Sequence, residues 1–280
     1  MNASGVLAVD EHSALRLVEA GVSAVVTKSL TLTPREGYAP PIVVPLEYGL
    51  LNAVGLANPG IDYLARITRA VKGRSIPVVA SIAGGSPGEF ARLAEEALEA
   101  GVDALELNLS CPNVRDLGVF NKAVHESVKA VKSISGKPVW AKLSYSLNIE
   151  ETAGRALDAG ADAVVLINTL PAMRIDVYAG KPILTNKSGG LSGPAIHPLA
   201  VYAVYKVYRE YSCDIVGVGG VVDWESAVEL IMAGAKGVQI ATGFYMKGPG
   251  IVGEVVEGLR KFMEAEGYKS IGEIVGLAVS

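Results

Sequence analysis

Two cysteines, Cys111 and Cys213, are all the thiols in 280 residues. They lie too far apart in sequence to suggest a disulfide framework. Neither has a ligand-spaced neighbour, and the three histidines (His12, His125 and His197) form no pair, so no metal set is expected. Positive charge is also scarce: the net charge of −4 offers no basic surface, which argues against nucleic-acid binding. No secretory core and no run of about 18 apolar residues occurs, so no membrane span is expected. The expected compartment is a reducing cytoplasm. Glutamine occurs once, at Gln239, as in thermophilic proteins, but a charged share of 19% points the other way.

Apolar residues and glycine are plentiful: half the chain is hydrophobic and 32 residues are glycine. That suffices for a large core in one domain spanning residues 1–280, and single α/β barrels run to about 250 residues. One phrase recurs, as Glu19-Ala20-Gly21-Val22, Glu99-Ala100-Gly101-Val102, Asp158-Ala159-Gly160-Ala161 and Met232-Ala233-Gly234-Ala235. Each reads as a helix end running into a strand, the glycine closing the helix in a left-handed conformation. Helical patterns such as Phe90 to Leu98 lie between these phrases. Strand candidates are Met1 to Ala3, Ala24 to Thr27, Val78 to Ile82, Ala104 to Asn108, Val139 to Lys142, Ala163 to Ile167, Ile215 to Val218 and Gly237 to Ile240. Most are too uniformly apolar to face water, as parallel strands covered by helices are. Eight βα units predict an α/β fold, a closed (β/α)8 TIM barrel with long loops at its C-terminal face, where the active site lies in that fold.

Polar residues at those strand ends therefore belong to one prospective site: Asn2 and Ser4, Thr27 and Lys28, Ser81, Asn108 to Asn113, Lys142 and Ser144, Asn168 and Thr169, Gly219 and Gly220, and Ala241-Thr242-Gly243. Two long insertions, residues 28–60 with Asn52 and residues 169–198, read as lids or binding loops. The glycines after the seventh strand and Ala241 to Gly243 after the eighth stand where this fold binds phosphate, although glycines also serve plain tight turns. Lys28 and Lys142 each follow an apolar run directly. Two such ammoniums imply an anion (phosphate, carboxylate or reduced flavin) unless both reach bulk solvent. A Schiff-base role for Lys142 is a further option.

Cys111 sits just beyond a strand, within Asn108-Leu109-Ser110-Cys111-Pro112-Asn113. A free cysteine is more often a small buried hydrophobe, but a core position has no need of flanking amides. No Asp or Glu stands well placed as a base and the histidines fall in or beside helices, so Cys111 is the candidate base, its thiol lowered by nearby lysines. Asn52, Asn108, Asn113 and Asn168 supply donors and acceptors in equal measure, as an amide-rich ring requires. Cys213 precedes the seventh strand at the opposite face and reads as structural.

The blocks Met1 to Gly5, Val26 to Gly37, Leu51 to Gly60, Asn108 to Asn113, Lys142-Leu143, Asn168-Thr169, Gly189 to Ala195 and Gly219-Gly220 together resemble class 1 dihydroorotate dehydrogenases over nearly the whole chain. The resemblance implies an FMN enzyme that oxidises dihydroorotate to orotate in pyrimidine biosynthesis. It makes Cys111 the base at C5, and gives the pyrimidine ring to Asn52, Asn108, Asn113, Asn168 and Thr169. The substrate carboxylate goes to Lys28 and the amides around Val54, Gly55 and Leu56. Flavin contacts fall to Ala3, Ser4, Gly5, Lys28, Ser29, Asn108, Lys142 and Ile167, and its phosphate region to Ser192, Gly193, Gly219, Gly220, Ala241 and Thr242. Asn168 to Asp176 and Lys181 to Leu184 are similar to the B subtype, implying a homodimer core and a partner subunit carrying FAD and an iron–sulfur cluster; fumarate reduction without a partner is the A-subtype counterpart.

Two departures stand out. Family members have a fuller first strand ahead of the Met-Asn-Ala-Ser-Gly block, so the expectation is either a truncated first strand or a true start upstream of Met1. The glycine-rich stretch usual after the cysteine is replaced by Val119-Phe120-Asn121-Lys122-Ala123. Competing readings are a dihydropyrimidine-type flavin reductase, against which Lys28 speaks, a phosphate-binding aldolase or isomerase barrel using Lys142, and an inactive scaffold in an electron-transfer complex.

Overall fold

The structure is a computed structural model that describes residues 1–5, 7–110 and 117–279. In chain order its strands are β1 (Val25–Val26), β2 (Val43–Leu46), β3 (Gly49–Asn52), β4 (Val78–Ile82), β5 (Ala104–Asn108), β6 (Val139–Leu143), β7 (Ala163–Leu166), β8 (Leu170–Ala172), β9 (Ile175–Asp176), β10 (Lys181–Pro182), β11 (Gly189–Ser192), β12 (Ile215–Val218) and β13 (Gly237–Gln239). The helices are α1 (Glu11–Glu19), α2 (Leu64–Lys72), α3 (Pro87–Glu99), α4 (Leu117–Lys132), α5 (Ile149–Asp158), α6 (His197–Tyr211), α7 (Trp224–Met232), α8 (Thr242–Lys247) and α9 (Ile251–Glu266).

Seven strands form one parallel sheet in the order β1-β4-β5-β6-β7-β12-β13. Residues 1–3 close it into a ring. On one side Ala3 N–H donates to the Ile240 carbonyl (2.7 Å) and Ile240 N–H to the Met1 carbonyl (3.0 Å). On the other side the Asn2 side chain stands in for a backbone: its Nδ2 donates to the Val26 carbonyl (2.6 Å) and its Oδ1 accepts from Val26 N–H (2.9 Å). A carboxamide carries the same donor and acceptor as a peptide group, so one buried asparagine completes the ladder where the strand is short. The first strand is thus a single bridge, Asn2 to Ile240.

Each strand's alternation divides the core into two layers. Leu105 and Leu107 face outward onto the helices, with Leu93, Val128, Leu143, Ala153, Val204 and Leu230. Ala104 faces the ring interior, which Val26, Val79, Val165, Val216 and Val218 fill together with Met1 and Trp140. The recurring glycine has positive φ at all four occurrences (Gly21 +86°, Gly101 +79°, Gly160 +95°, Gly234 +123°), each ending a helix just before a strand. Helix starts follow the sequence too: Asp10 and Asp223 each form a reciprocal cap with a serine three residues on, and Ser86 caps α3.

The two insertions are not separate loops. β2 and β3 from the first join β11 and β8 from the second in an antiparallel sheet, order β2-β3-β11-β8, with a β9–β10 hairpin beside it. Gly190 lies opposite Asn52, a pairing across 138 residues that no local pattern announces. Among the described residues no helix is long and apolar enough to cross a membrane.

Candidate active site

Polar side chains from four strand ends meet at the C-terminal mouth of the ring. Thr27 Oγ1 accepts from Ser81 N–H (3.0 Å), and the hydroxyls of Ser81 and Ser29 are 3.0 Å apart. Asn108 Nδ2 donates to Ser29 Oγ (3.1 Å); Asn168 Nδ2 donates to Asn108 Oδ1 (3.3 Å) and Ser110 Oγ (2.7 Å). The chain of bonds runs from β1 through β4 and β5 to the end of β7. Cys111 and Asn113 lie outside the described residues.

Asn52, at the end of β3, donates to the Gly190 carbonyl (3.2 Å). A Cβ on Gly190 would run into the Thr169 side chain, so the glycine lets β11 close down beside Asn168-Thr169. Val54, Gly55 and Leu56 follow β3 in a turn where Gly55 and Leu56 both have positive φ (+74° and +55°), and their amides donate to no described group. Asn58 pins that turn, its Oδ1 accepting from Thr31 N–H (3.2 Å) and Gly60 N–H (2.9 Å). The loop expected to meet the substrate is thereby tied to the segment that carries Lys28.

Both lysines are buried, at 6% and 4% exposure for Lys28 and Lys142. Lys28 Nζ donates to the Gly5 carbonyl (3.0 Å), and among the described residues no carboxylate pairs with it; burial pulls its pKa below the ordinary lysine value. Lys142 is differently supplied. Its Nζ is 3.1 Å from Ser4 Oγ and 3.4 Å from both Glu106 Oε1 and Gln239 Oε1, while Gln239 Nε2 donates to Glu106 Oε2 (2.8 Å). One acid does stand close by: Glu106, fully buried on β5, faces the ring interior beneath Lys142.

An open cleft of about 410 Å³ lies between these groups and the loops after β7, β11, β12 and β13. Ten of the residues expected around a flavin line it: Ala3, Ser4, Lys142, Ile167, Ser192, Gly193, Gly219, Gly220, Ala241 and Thr242. Asn168 and Thr169 border it as well; Ser29 and Asn108 connect to it through Asn168, whereas Gly5 and Lys28, bonded to each other, do not line it. A larger space of about 750 Å³, between α1 and α8, is lined mainly by Leu7, Leu17, Phe244, Tyr245 and Pro249 and touches none of the expected site residues. Size therefore does not mark the site; converging polar groups do. Thr242 Oγ1 donates to Ser192 Oγ (2.8 Å), joining two of the loops. The amides of Gly219, Gly220, Ala241 and Thr242 donate to no described group.

Three contributors escaped the sequence reading. Glu106 and Gln239 were not assigned to the site, although strand alternation puts Glu106 on the same face as Asn108, which was a usable signal. Ser110, within the expected Asn108 to Asn113 stretch, bonds Asn168. His197, assigned to a helix, begins α6 and donates from Nδ1 to the Gly219 carbonyl (2.7 Å), holding the glycine turn. Cys213 is half-buried just before β12, and burial pushes its thiol up to about 11, in keeping with an inert role.

The chain was compared with known proteins. A family model described as dihydroorotate dehydrogenase matches residues 1–263. A protein of Aeropyrum pernix provisionally named dihydroorotate dehydrogenase A (fumarate) is 48% identical, covering 99% of this chain and 92% of its own length. The dihydroorotate dehydrogenase B (NAD(+)) catalytic subunits of Pyrococcus abyssi and Thermoplasma volcanium are each 44% identical, covering 99% and 100% of this chain and 94% of their own lengths. With that likeness running end to end over a parallel α/β ring whose polar mouth is built as described, the chain belongs to the dihydroorotate dehydrogenase family, in its class 1 branch.

Proposed function

We propose that the chain acts as a single catalytic domain that binds FMN in the cleft beside Lys142 and oxidises dihydroorotate to orotate, a step of pyrimidine biosynthesis. The observation that carries the substrate assignment is Lys28, buried against one carbonyl and lacking a carboxylate partner among the described residues. A buried ammonium so placed has lost hydration that an anionic ligand restores. The unpaired amides of Val54, Gly55 and Leu56 offer further donors to the same carboxylate. A dihydropyrimidine without a carboxylate would leave that charge unanswered.

The residues present also fit a flavin. Four unpaired amides at Gly219, Gly220, Ala241 and Thr242 suit a phosphate, and Lys142 suits the pyrimidine edge of an isoalloxazine, where negative charge collects on reduction. Bound FMN supplies the acceptor for the hydride that leaves C6. Cys111 takes the proton from C5 as general base, a role argued from its place between Asn108 and Asn113 in sequence. Asn52, Asn108, Asn113, Asn168 and Thr169 hold the ring through paired amide donors and acceptors. Asn108 and Asn168 are already bonded to each other and to serines, so their orientation is set before substrate arrives.

An aldolase-type Schiff base at Lys142 is disfavoured by the same geometry. Its amine is enclosed by Ser4, Glu106 and Gln239 rather than free to attack a carbonyl. For the electron acceptor we favour the B arrangement, with a homodimer core and a partner subunit bearing FAD and an iron–sulfur cluster, on the Asn168 to Asp176 and Lys181 to Leu184 blocks. The β9–β10 hairpin there exposes Met173, Ile175, Val177 and Tyr178, an apolar group suited to a protein contact. Anaerobic mixing of the purified protein with dihydroorotate tests the reading: bound flavin bleaches with dihydroorotate and keeps its colour with dihydrouracil. A panel of fumarate, NAD+ and an artificial dye then separates the A and B arrangements. A colourless protein, or colour unmoved by dihydroorotate, overturns the proposal.

A further inference from the structure

We propose that Glu106 and Gln239 are positioning residues that hold Lys142 from below and cancel part of its charge, setting how strongly the mouth stabilises an anionic flavin. The inference rests on the FMN reading above and goes beyond it, to two residues with no place in that reading.

Three strands contribute one buried cluster: Glu106 from β5, Lys142 from β6 and Gln239 from β13. Glu106 and Gln239 are fully buried and Lys142 nearly so. The ammonium has three N–H groups and three acceptors, Glu106 Oε1 and Gln239 Oε1 at 3.4 Å and Ser4 Oγ at 3.1 Å. Ser4 lines the cleft, whereas Glu106 and Gln239 do not. Two of the three bonds therefore anchor the lysine inside the ring, and the third is the one a ligand in the cleft replaces. Both inner bonds are long, so the amine is restrained without being fully neutralised.

Gln239 also donates to the far oxygen of Glu106 at 2.8 Å. The glutamine amide thus touches both members of the pair, its oxygen toward the cation and its nitrogen toward the anion. Out of water, a carboxylate at this distance offsets much of the field that Lys142 projects into the cleft. The two carbonyl-type oxygens lie equally far from Nζ, so exchanging the two side chains moves the negative charge across the lysine while preserving its distance and the hydrogen-bond count. Nothing else about the cluster requires one of the two positions to be acidic and the other neutral.

Sulfite is the probe, because it adds reversibly to oxidised flavin and its adduct, being anionic, reports positive charge near the ring. With FMN-loaded protein, Glu106→Gln should tighten sulfite binding at least tenfold and raise the two-electron flavin potential by about 30 mV for each tenfold change. Gln239→Glu, which adds a second carboxylate, should shift both in the opposite direction. The exchange variant E106Q/Q239E should return both toward the wild-type values, which a merely structural pair would not do. Flavin retained in all three variants with sulfite affinity within twofold of wild type overturns the inference while leaving the FMN reading intact. Loss of flavin from all three, with wild type still yellow, makes the pair structural and also overturns it. A wild-type protein that binds no flavin overturns the reading beneath it instead.

Discussion

Lys28 and Lys142 stand at two edges of the same mouth, are equally hidden from water, and are supplied in opposite ways. Lys142 has a carboxylate, a carboxamide and a hydroxyl around it; among the described residues Lys28 has one backbone carbonyl. On the proposed reading the protein provides its own counter-charge on the cofactor side and, among those residues, none on the substrate side. A resident group must be met by a steady field, whereas a passing carboxylate binds best where a charge is waiting for it. The neutral amide ladder from Ser29 to Asn168 runs between the two.

Removing the chemistry while leaving both lysines in place is the most severe test. Cys111→Ala is expected to slow flavin reduction by dihydroorotate about 10³- to 10⁴-fold with FMN retained, followed by stopped-flow absorbance. A near-wild-type rate would show that Cys111 is not the base. On the internally paired side, Lys142→Met leaves Glu106 as an uncompensated buried charge and should cost about 3–5 kcal/mol of stability in urea unfolding. Adding Glu106→Gln to it should recover much of that loss, because the orphaned charge goes with it.

On the unpaired side, Lys28→Met should weaken orotate about 10- to 100-fold, the worth of one charge-assisted bond, in a flavin-perturbation titration. Its unfolding free energy should fall little or even rise, since among the described residues only the Gly5 carbonyl and no charged partner is abandoned. Equal stability losses in Lys28→Met and Lys142→Met would erase the contrast. The gentlest effect is in pH. Burial lowers the Lys28 pKa, so its ammonium is lost on raising pH before the ordinary lysine value of 10.5 is reached. Orotate affinity should therefore decline as pH rises through that window below 10.5, and the decline should vanish in Lys28→Met. For stability the sign is the reverse: the unfolded chain holds the Lys28 proton to higher pH than the folded one, so this group's contribution to stability rises with pH through the same window.

The strands were legible because each is a short apolar run announced by a helix-closing glycine. The positions of Lys28, Asn108, Lys142, Asn168 and the paired glycines at 219–220 at strand ends followed from that count alone. The face of Glu106 was legible from its alternation with Asn108, but its partner was not, because Lys142 lies on another strand. The sheet uniting Asn52 with Gly190 was equally hidden, since its hydrogen bonds join residues 138 apart. His197 was set aside as helical, and its bond to Gly219 depends on where α6 begins relative to β12.

Local order in this chain, its βα repeat and the residue types that finish each strand, is written in periods of a few residues, because backbone sterics and apolar alternation act over that range. Pairing in space is another matter. That Asn2 would complete the ring against Val26, that Glu106 and Gln239 would share Lys142, and that Lys28 would be left, among the described residues, with a lone carbonyl were settled when strands far apart in sequence closed on one another, since charge and hydrogen bonding respond to distance in three dimensions and not along the chain.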